Sequence, residues 1–280
     1  MSGNIHPDAA RAPEATTFDG VAPSVRLDRD GAVARLTLNR PDAANAINLH
    51  LAQELKAAAT ECSEDRSIRA VLLRAEGRIF CAGGDIGAFV AAGPDLPRLV
   101  QQLASDLHAA IGTLARMHKP LVTAVQGAAA GAGFGLSLMG DIVLAARKAS
   151  FSIAYPAIGL TPDAGATWIL PRLVGIRRAQ ELALLNPRLS ADEALEMGLI
   201  TRVVDDALLD GASTDLAAQL ANGPTSAYGH TRRLLLEGLG RSLEDQLECE
   251  ARTISRAAGH RDGREGIAAF VAKRPPVFGQ

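Results

Sequence analysis

The sequence predicts an α/β fold that ends in a helical section, and two observations lead to this class. Short runs of branched apolar residues, typical of buried strands, alternate with segments of helical periodicity up to about residue 205. Beyond residue 206 the strand pattern stops and only helical periodicity remains. We therefore expect a disordered tail over residues 1–22, an α/β core over 23–205 and a helical C-terminal section over 206–280.

Composition narrows the range of partners and compartments. The 280 residues can bury a sizeable core, and a formal net charge of −2 without a basic run argues against a nucleic-acid partner. No apolar run is long enough to span a membrane, and the N-terminus lacks a signal-peptide pattern. The three cysteines, Cys62, Cys81 and Cys249, match no zinc motif and indicate reduced thiols. We expect a cytoplasmic protein that binds neither nucleic acid nor a membrane.

The first elements of the core are a hairpin, a helix and a buried strand. Residues 25–27 and 32–38 are predicted to form the hairpin, with a turn at 29–31. Apolar residues at helical spacing predict a helix over 46–61, and the apolar run at 70–74 predicts a buried strand. This strand leads into a first glycine-rich turn at residues 77–86.

A second glycine-rich turn occupies the middle of the chain. An amphipathic helix over 99–117 leads to a predicted buried strand, Leu121–Val125, and then to seven small residues at 127–133. The apolar segment 134–139 that follows has helical character. A bare turn between a strand and a helix exposes backbone N–H groups. It suits either a bound anion or an oxygen that becomes charged during a reaction.

The rest of the core continues the alternation. Residues 142–146 and 151–153 are predicted strands, and the segment 155–165, rich in proline and glycine, is predicted to be an ordered loop. Two later helix starts carry the pattern of a capping box. They are Ser190 with Glu193 and Asp262 with Glu265.

Common glycine motifs do not account for the second turn. After Gly131 and Gly133, the third glycine of a dinucleotide fingerprint would fall at Leu136, and no acidic residue ends a second strand at the required distance. A P-loop would need a Gly-Lys-Ser/Thr ending, which is absent. The nucleophile elbow almost occurs around Ser137, but its second glycine comes one residue late. We interpret Ser137 as a small core residue.

The two turns share a pattern, because each ends a strand, has little bulk and leads into an apolar helix. If they converge, two N–H groups directed at one point would polarise a carbonyl group and stabilise an enolate or a tetrahedral oxyanion. The sequence leaves a second interpretation open, in which the glycines only permit tight packing.

An ordered set of motifs resembles the crotonase superfamily of enoyl-CoA hydratases and isomerases. The motifs are Asn39-Arg40-Pro41, Asn45-Ala46-Ile47, Phe80-Cys81-Ala82-Gly83-Gly84-Asp85-Ile86, the block 127–141, Ile158-Gly159-Leu160-Thr161-Pro162-Asp163, Leu170-Pro171-Arg172-Leu173-Val174-Gly175 and Glu265-Gly266-Ile267-Ala268-Ala269-Phe270. The resemblance covers roughly residues 25–278. It implies a crotonase-like spiral of ββα turns, C-terminal helices that assemble a homotrimer or hexamer, and an acyl-CoA thioester substrate. Apart from the coenzyme A of that substrate, it implies no cofactor and no metal.

The resemblance also assigns roles to residues. The oxyanion donors would be the N–H groups of Gly84 and Ala132, and the family usually has glycine at the second position, so the Ala132 methyl group narrows the pocket. Substrate contacts would come from Ala44, Ala82, Gly83, Asp85, Ile86, Gly131, Tyr155, Phe270 and Lys273. Among these, Asp85 is expected to fix its turn through backbone hydrogen bonds. Lys273 is expected to be a basic contact for coenzyme A, reaching a neighbouring subunit's ligand, or else a solvated lysine.

The two glutamates that hydratases of this family use are missing. The first belongs four residues after Gly131, at Gly135, and the second belongs eight residues before Asp163, at Tyr155. Glycine cannot transfer a proton, and tyrosine, with an ordinary pKa of about 10, is a poor base at neutral pH. Hydration by the usual mechanism is therefore not expected. Tyr155 is left to line the acyl pocket, to donate a hydrogen bond or to pack.

Asp163 remains as the candidate acid/base. By resemblance it stands where some enoyl-CoA isomerases, including the ring-opening isomerase of phenylacetate breakdown, carry the catalytic carboxylate. In 4-chlorobenzoyl-CoA dehalogenases the same position holds the nucleophile. One carboxylate is sufficient for isomerisation, since it can remove a proton from C2 and return it at C4. The other interpretation is that Asp163 caps a helix starting near Ala164.

The resemblance thus implies an enoyl-CoA isomerase. The alternatives left open are a hydratase with substituted acid/base residues, dehalogenase-like chemistry and a non-catalytic acyl-CoA-binding protein. The six histidines form no convergent pattern, so we expect structural or solvated roles for them, including His108, and no metal site.

Overall fold

The computed structural model describes residues 22–279, so the predicted disordered tail lies outside the described residues except for Ala22. The strands are β1 (Val25–Asp30), β2 (Val33–Leu38), β3 (Ala70–Ala75), β4 (Leu121–Val125), β5 (Ala128–Ala130), β6 (Ile142–Ala146), β7 (Ser150–Ser152), β8 (Leu189–Ser190) and β9 (Arg202–Val204). The α-helices are α1 (Leu49–Glu64), α2 (Ile86–Ala92), α3 (Leu96–Arg116), α4 (Ala132–Ser137), α5 (Ala166–Leu185), α6 (Ala191–Glu196), α7 (Leu209–Ala221), α8 (Thr225–Gly238), α9 (Leu243–Gly259) and α10 (Arg261–Val271).

Six strands form the main sheet, in the order β1-β2-β3-β4-β6-β9. β1 and β2 are the predicted hairpin and pair antiparallel, with Asp30 opposite Val33. The other neighbours in this sheet are parallel. β3 and β4 are buried almost throughout, because strands of a parallel sheet are covered on both faces. That burial explains why their sequences are continuous apolar runs.

Helices cover both faces of the main sheet. Leu73 of β3 joins a core cluster with Leu51 of α1 and Leu107 of α3. Leu72, one residue earlier and therefore on the opposite face, joins a second cluster with Leu216 of α7. The prediction that helices follow residue 206 is confirmed within the described residues. The division of the chain at residue 205 stays a prediction, and α7, the first helix after it, packs on the sheet.

A second, three-stranded sheet has the order β5-β7-β8, and neither its first nor its third strand was predicted. β5 is three alanines, which have low strand propensity, and it is a strand because it pairs in parallel with β7, with Ala129 opposite Phe151. β5 lies within the predicted turn at 127–133, between β4 and α4. It therefore fixes the backbone that leads into the second glycine-rich turn.

The first helix begins three residues later than predicted. Residues 46–48 are not helical, because Ile47 pairs with the first glycine-rich turn: its amide donates to the Gly83 carbonyl at 2.7 Å. Asn48 then caps α1, and its side-chain oxygen accepts a hydrogen bond from the Leu51 amide. Ile47 shares the helical spacing of Leu51 and Leu55, but it lies before the helix and pairs with the first glycine-rich turn.

One predicted capping box is confirmed and the other is wrong. Ser190 and Glu193 form the reciprocal bonds of a capping box at α6. At α10 the cap is His260, whose Nδ1 accepts from the Asp262 amide at 3.2 Å. Glu265 instead binds Arg274 and accepts from the Val277 amide, because the chain after α10 folds back along that helix.

Among the last helices, α7 packs on the main sheet, whereas α9 and α10 contribute few or no buried residues. Arg232 of α8 ties it to the core through Asp141 and through carbonyl groups near the end of α3. α9 has no buried residue and exposes large apolar side chains along its length. None of the helices between residues 22 and 279 combines the length and the apolarity needed to cross a bilayer.

Candidate active site

The two glycine-rich turns lie side by side. The Cys81 amide donates to the Ala128 carbonyl at 3.1 Å, and the Ala130 amide donates to the Cys81 carbonyl at 2.9 Å. The glycines next in sequence are in contact, since a Cβ atom on Gly83 would lie 3.4 Å from the Cα of Gly131. Both glycines have positive φ, +96° and +56°. The structure thus brings together the two turns whose convergence the sequence left open.

Each turn presents a backbone N–H group without an acceptor. Around Gly84, Ile47 pairs with the flanking residues, since the Asp85 amide donates to the Ile47 carbonyl at 3.0 Å. The Gly84 amide finds no acceptor within residues 22–279. Ala132 is the first residue of α4, where an amide has no intrahelical partner, and it too lacks an acceptor in this part of the chain. Each could serve a ligand oxygen.

The first turn is held by charged and amide side chains beneath it. The Asp85 carboxylate caps α2 by accepting from the Ala88 amide at 3.1 Å, and its second oxygen accepts two hydrogen bonds from Arg40, both at 3.1 Å. The buried Asn45 donates to the Glu76 and Ile79 carbonyls. Because both Asp85 oxygens are engaged, this geometry is that of a residue that fixes the turn.

The other predicted contacts near Gly84 lie along one edge of this turn. The Ala82 amide donates to the Ala44 carbonyl at 3.1 Å, and Ala44 has the left-handed backbone of a sharp corner, φ +51°. Ile86 begins α2 and is exposed. Phe89 was not singled out in the sequence, although its ring lies against Gly84, where a Cβ atom would be 2.7 Å from Cζ. Only the fold reveals that contact, because α2 turns back over the glycine.

Asp163 lies next to the second turn. The Gly131 amide donates to the Ser152 carbonyl at 3.2 Å, and Tyr155 follows three residues later. The Tyr155 hydroxyl donates to Oδ1 of Asp163. Asp163 does not cap a helix: α5 begins at Ala166 after Gly165 and has no side-chain cap. The carboxylate, 26% exposed, is instead directed into a cluster with Tyr155 and His108.

His108 is the residue of this cluster that sequence reasoning missed. Its Nε2 accepts from the Ala164 amide at 3.1 Å and lies 3.8 Å from Oδ2 of Asp163. The expectation of a structural or solvated role therefore stays open for His108, which supports the Asp163 loop through a backbone amide and is 48% exposed beside the candidate acid/base. The only local signal was its place next to the buried stripe of α3, since the contact with Ala164 joins residues 56 apart.

Tyr155 is buried at the base of this cluster. Burial, with the neighbouring Asp163 charge, raises the pKa of the Tyr155 hydroxyl well above its ordinary value. The hydroxyl therefore stays protonated across the physiological range and acts as a hydrogen-bond donor. Of the roles left open for Tyr155, the structure contains two, since its hydroxyl donates a hydrogen bond and its ring packs in the core.

Gly135 allows α4 to pack directly on the loop that carries Asp163. A Cβ atom at position 135 would lie 2.6 Å from the carbonyl oxygen of Ala164 and 2.9 Å from its Cβ. The space where a hydratase of the family would carry its first glutamate is thus filled by the residue after Asp163. A glutamate at position 135 would therefore also need the Asp163 loop to move.

Phe270 and Lys273 make no hydrogen bond to the cluster of Asp163, Tyr155 and His108 among the described residues. Phe270 is 84% exposed at the end of α10, and Lys273 is exposed in the turn that follows. The polar contacts of this segment run back to α10 through Glu265 and Asp262. Among the described residues, no group of three or more histidine, cysteine or acidic side chains is placed to hold a metal ion.

Comparison with known proteins gives one family and several reactions. The model of the enoyl-CoA hydratase/isomerase family matches residues 28–280. The 1,2-epoxyphenylacetyl-CoA isomerase of Escherichia coli is 42% identical over 251 residues, 88% of this chain and 94% of that protein. The 4-chlorobenzoyl coenzyme A dehalogenase-2 of an Arthrobacter species is 35% identical, covering 89% of this chain and 91% of that one. The crystal structure of an enoyl-CoA hydratase from a Polaromonas species has a TM-score of 0.86 at 34% identity, covering 90% and 98% of the two chains.

Proposed function

The chain belongs to the enoyl-CoA hydratase/isomerase family, and we propose that within it the protein is an enoyl-CoA isomerase. Family membership makes it an acyl-CoA enzyme with the crotonase-like α/β fold that the motifs predicted. The observation that carries the isomerase proposal is the cluster at Asp163. Its carboxylate is free of a capping role, whereas the Asp85 carboxylate is committed to its turn.

The two open amides supply the electrostatic part of the proposed reaction. The thioester carbonyl oxygen accepts hydrogen bonds from the Gly84 and Ala132 amides, which strengthen as charge develops on that oxygen. Removing one such donor typically costs about 3–4 kcal/mol of transition-state stabilisation. The contact between Gly83 and Gly131 supports this role, because it holds the two donors in neighbouring turns.

Asp163 supplies the proton transfer. It takes a proton from C2, and the electrons of that C–H bond move into the enolate. The same proton then returns at C4, the C2–C3 double bond forms and the thioester carbonyl is restored. One group that receives and returns a single proton is sufficient for this sequence.

The residues at the two glutamate positions support isomerisation over hydration. Hydration needs a group to activate water and a group to protonate carbon. Gly135 has no side chain and no room for one, and the Tyr155 hydroxyl holds its proton tightly and already donates to Asp163. Two groups are therefore missing for hydration, whereas isomerisation uses the group that is present.

A second candidate, dehalogenase-like chemistry, is favoured by one observation. Asp163 has an imidazole beside it, with Nε2 of His108 3.8 Å from Oδ2. The carboxylate could displace halide from a ring carbon to form an aryl ester, and the neighbouring base could activate the water that hydrolyses this ester. Against this, the Nε2 lone pair already accepts the Ala164 amide, so it is not free to activate water. Halide release from a halobenzoyl-CoA distinguishes this candidate.

The proposal is tested with a panel of thioesters and one substitution. Wild type should convert 3-enoyl-CoA to 2-enoyl-CoA, with little loss of 2-enoyl-CoA through hydration, and the panel should include aliphatic and aromatic acyl groups. Asp163→Ala should lower kcat by about 10²–10⁴-fold, since it removes the acid/base, while binding of the thioester stays close to wild type. Asp95→Ala removes an exposed carboxylate and serves as the control. Near-normal isomerase activity of Asp163→Ala would refute the assignment, and binding without turnover by wild type would indicate a non-catalytic acyl-CoA-binding protein.

We also propose that the protein is a homotrimer or hexamer and that it functions in the cytoplasm. The exposed apolar side chains of α9 and α10, Leu243, Leu247, Ile254, Ile267 and Phe270, support assembly through the C-terminal helices. In such an assembly Lys273 and Phe270 would meet the ligand of a neighbouring subunit. The free thiols of Cys62, Cys81 and Cys249 support a reducing compartment.

A further inference from the structure

Two side chains from separate elements bracket the carboxylate of Asp163, and we propose that they are positioning residues which make Oδ2 the proton-carrying atom. Tyr155 holds Oδ1 and His108 holds the loop on the Oδ2 side. This inference rests on the proposed isomerase function and names how its acid/base is held.

Tyr155 fixes one oxygen of the carboxylate. Its hydroxyl donates to Oδ1, and its ring is buried in the short 3₁₀ turn Tyr155–Ile158 that follows β7. The raised pKa of the hydroxyl keeps it a neutral donor rather than a competing anion. Oδ1 is thereby occupied, and the carboxylate has a preferred rotation.

His108 fixes the backbone on the other side. The Ala164 amide donates to its Nε2 at 3.1 Å, so Nε2 carries no proton and the ring proton of the neutral imidazole is on Nδ1. At 3.8 Å from Oδ2, this nitrogen is too far away for a hydrogen bond and has no proton to donate. His108 therefore anchors the residue next to Asp163 and leaves the Oδ2 lone pairs free.

The surroundings of Oδ2 agree with the proposal that Oδ1 is held by Tyr155 and that Oδ2 carries the proton. Within residues 22–279, Asp163 makes no ion pair with lysine or arginine and no hydrogen bond through Oδ2. A carboxylate oxygen with no donor is available to take a proton from carbon, whereas Oδ1 would first have to give up the hydrogen bond from Tyr155. In the proposed reaction, the proton of C2 passes to Oδ2 and from Oδ2 to C4. The electron pair of the C2–H bond moves through the dienolate.

Accurate placement of the base is what these two side chains contribute. Proton transfer from carbon requires the base close to the C–H bond, and a displacement of about 1 Å can reduce the rate by about 100-fold. Loss of either anchor keeps the Asp163 side chain in the site but allows its carboxylate to rotate or to move. The effect should fall on kcat rather than on the binding of the coenzyme A moiety.

The test compares isosteric and non-isosteric substitutions in the full-length protein. His108→Gln places an amide oxygen near the position of Nε2 and can still accept the Ala164 amide, whereas His108→Leu cannot. We expect His108→Leu and Tyr155→Phe each to lower kcat about tenfold or more with KM within about twofold, and His108→Gln to recover most of the loss. His50→Gln, a half-exposed histidine at the start of α1 paired with Glu54, is the matched control and should behave as wild type.

Transfer of deuterium from C2 to C4 of a C2-deuterated substrate reads proton abstraction directly and should fall in parallel with kcat. Thermal unfolding checks that each variant is folded, and if His108→Leu does not fold, Tyr155→Phe and His108→Gln still decide the question. Wild-type kcat in both Tyr155→Phe and His108→Leu would overturn the inference, as would a rise in KM at constant kcat. Failure of the proposed function gives a different result, in which wild type shows no isomerase turnover or Asp163→Ala retains it. The positioning inference would then be refuted as well.

Discussion

At position 135, volume matters as much as charge. Gly135 lets α4 approach the Asp163 loop so closely that any side chain would overlap the Ala164 backbone. On the same loop, Asp163 accepts a hydrogen bond from Tyr155 and the Ala164 amide donates to His108. The geometry of the candidate acid/base thus depends on a residue that has no functional group.

We expect Gly135→Glu to destabilise the protein without creating a hydratase. Overpacking against backbone atoms typically costs about 1–3 kcal/mol and would displace the Asp163 loop. Isomerase activity should fall, and 2-enoyl-CoA hydration should stay at background. Gly211→Glu is the control, because Gly211 lies in α7 with open space around it, and chemical denaturation together with both activity assays compares the pair. Efficient hydration by Gly135→Glu would contradict this account.

At the scale of the elements, the charged residue Arg232 joins α8 to the core. Arg232 is 10% exposed, and it pairs with Asp141 at 2.6 Å. It also donates to the carbonyl of Leu114 at 3.0 Å, near the end of α3, and to that of Lys119 at 2.7 Å. These acceptors are carbonyls at and beyond a helix C-terminus, which otherwise lack partners. The anchor therefore completes α3 while it docks α8.

Arg232→Met should loosen α8 and lower the free energy of unfolding by about 2–4 kcal/mol, since it strands a part-buried carboxylate and several carbonyl groups. Its neighbour Arg233, 61% exposed and paired with Glu237, offers the matched control. Arg233→Met should change stability by no more than about 0.5 kcal/mol. Urea denaturation and hydrogen exchange of residues 225–238 measure the difference, and equal effects of the two substitutions would show that the anchor is unimportant.

The segment after α10 is held by an acid-sensitive contact. The two hydrogen bonds from Arg274, with the Val277 amide, lower the pKa of Glu265 from 4.5 to about 2. A lowered pKa in the folded state means that the contact stabilises above the ordinary pKa and that this contribution is lost as the pH falls from about 4.5 to about 2. We expect proteolysis or exchange at residues 272–279 to increase over that window. In Glu265→Gln the segment should be loose at neutral pH and insensitive to the same acidification.

At the scale of the whole molecule, the C-terminal helices carry large apolar side chains that are exposed in the single chain. Leu243, Leu247 and Ile254 of α9 are exposed at positions 4 and 11 residues apart, which fall on related faces of a helix. A helix with no buried residue of its own is stabilised when a second surface covers such a stripe.

We therefore expect Leu247→Glu to reduce the assembly state while the subunit stays folded. The leucine is exposed in the single chain, so its replacement should leave circular dichroism unchanged and lower the mass measured by light scattering. Arg252→Glu, on the same helix, changes charge without removing apolar surface and is the control. An unaltered mass for Leu247→Glu, or a monomeric wild type, would contradict assembly through α9.

Much of the fold followed from local patterns, and the exceptions have physical reasons. The hairpin, the buried strands and the all-helical ending were predicted because apolar periodicity and turn residues are local signals. β5 is a strand of alanines that exists only through its pairing with β7, and α1 starts late because Ile47 pairs with the first turn. For the site, the motifs led to both turns and to Asp163. The contact of Ala164 with His108 could not be predicted, since it joins a helix to a loop 56 residues away.

The close contact of Gly135 with Ala164 also bears on how the reactions of this family can interconvert over mutational time. If a glutamate at 135 cannot be tolerated until the Asp163 loop has moved, a single substitution cannot carry this chain toward hydration. The loop shift by itself would release the carboxylate from Tyr155 and the Ala164 amide from His108, and so weaken the proposed activity. We therefore expect the effect of a glutamate at 135 to depend on whether the Asp163 loop has already moved.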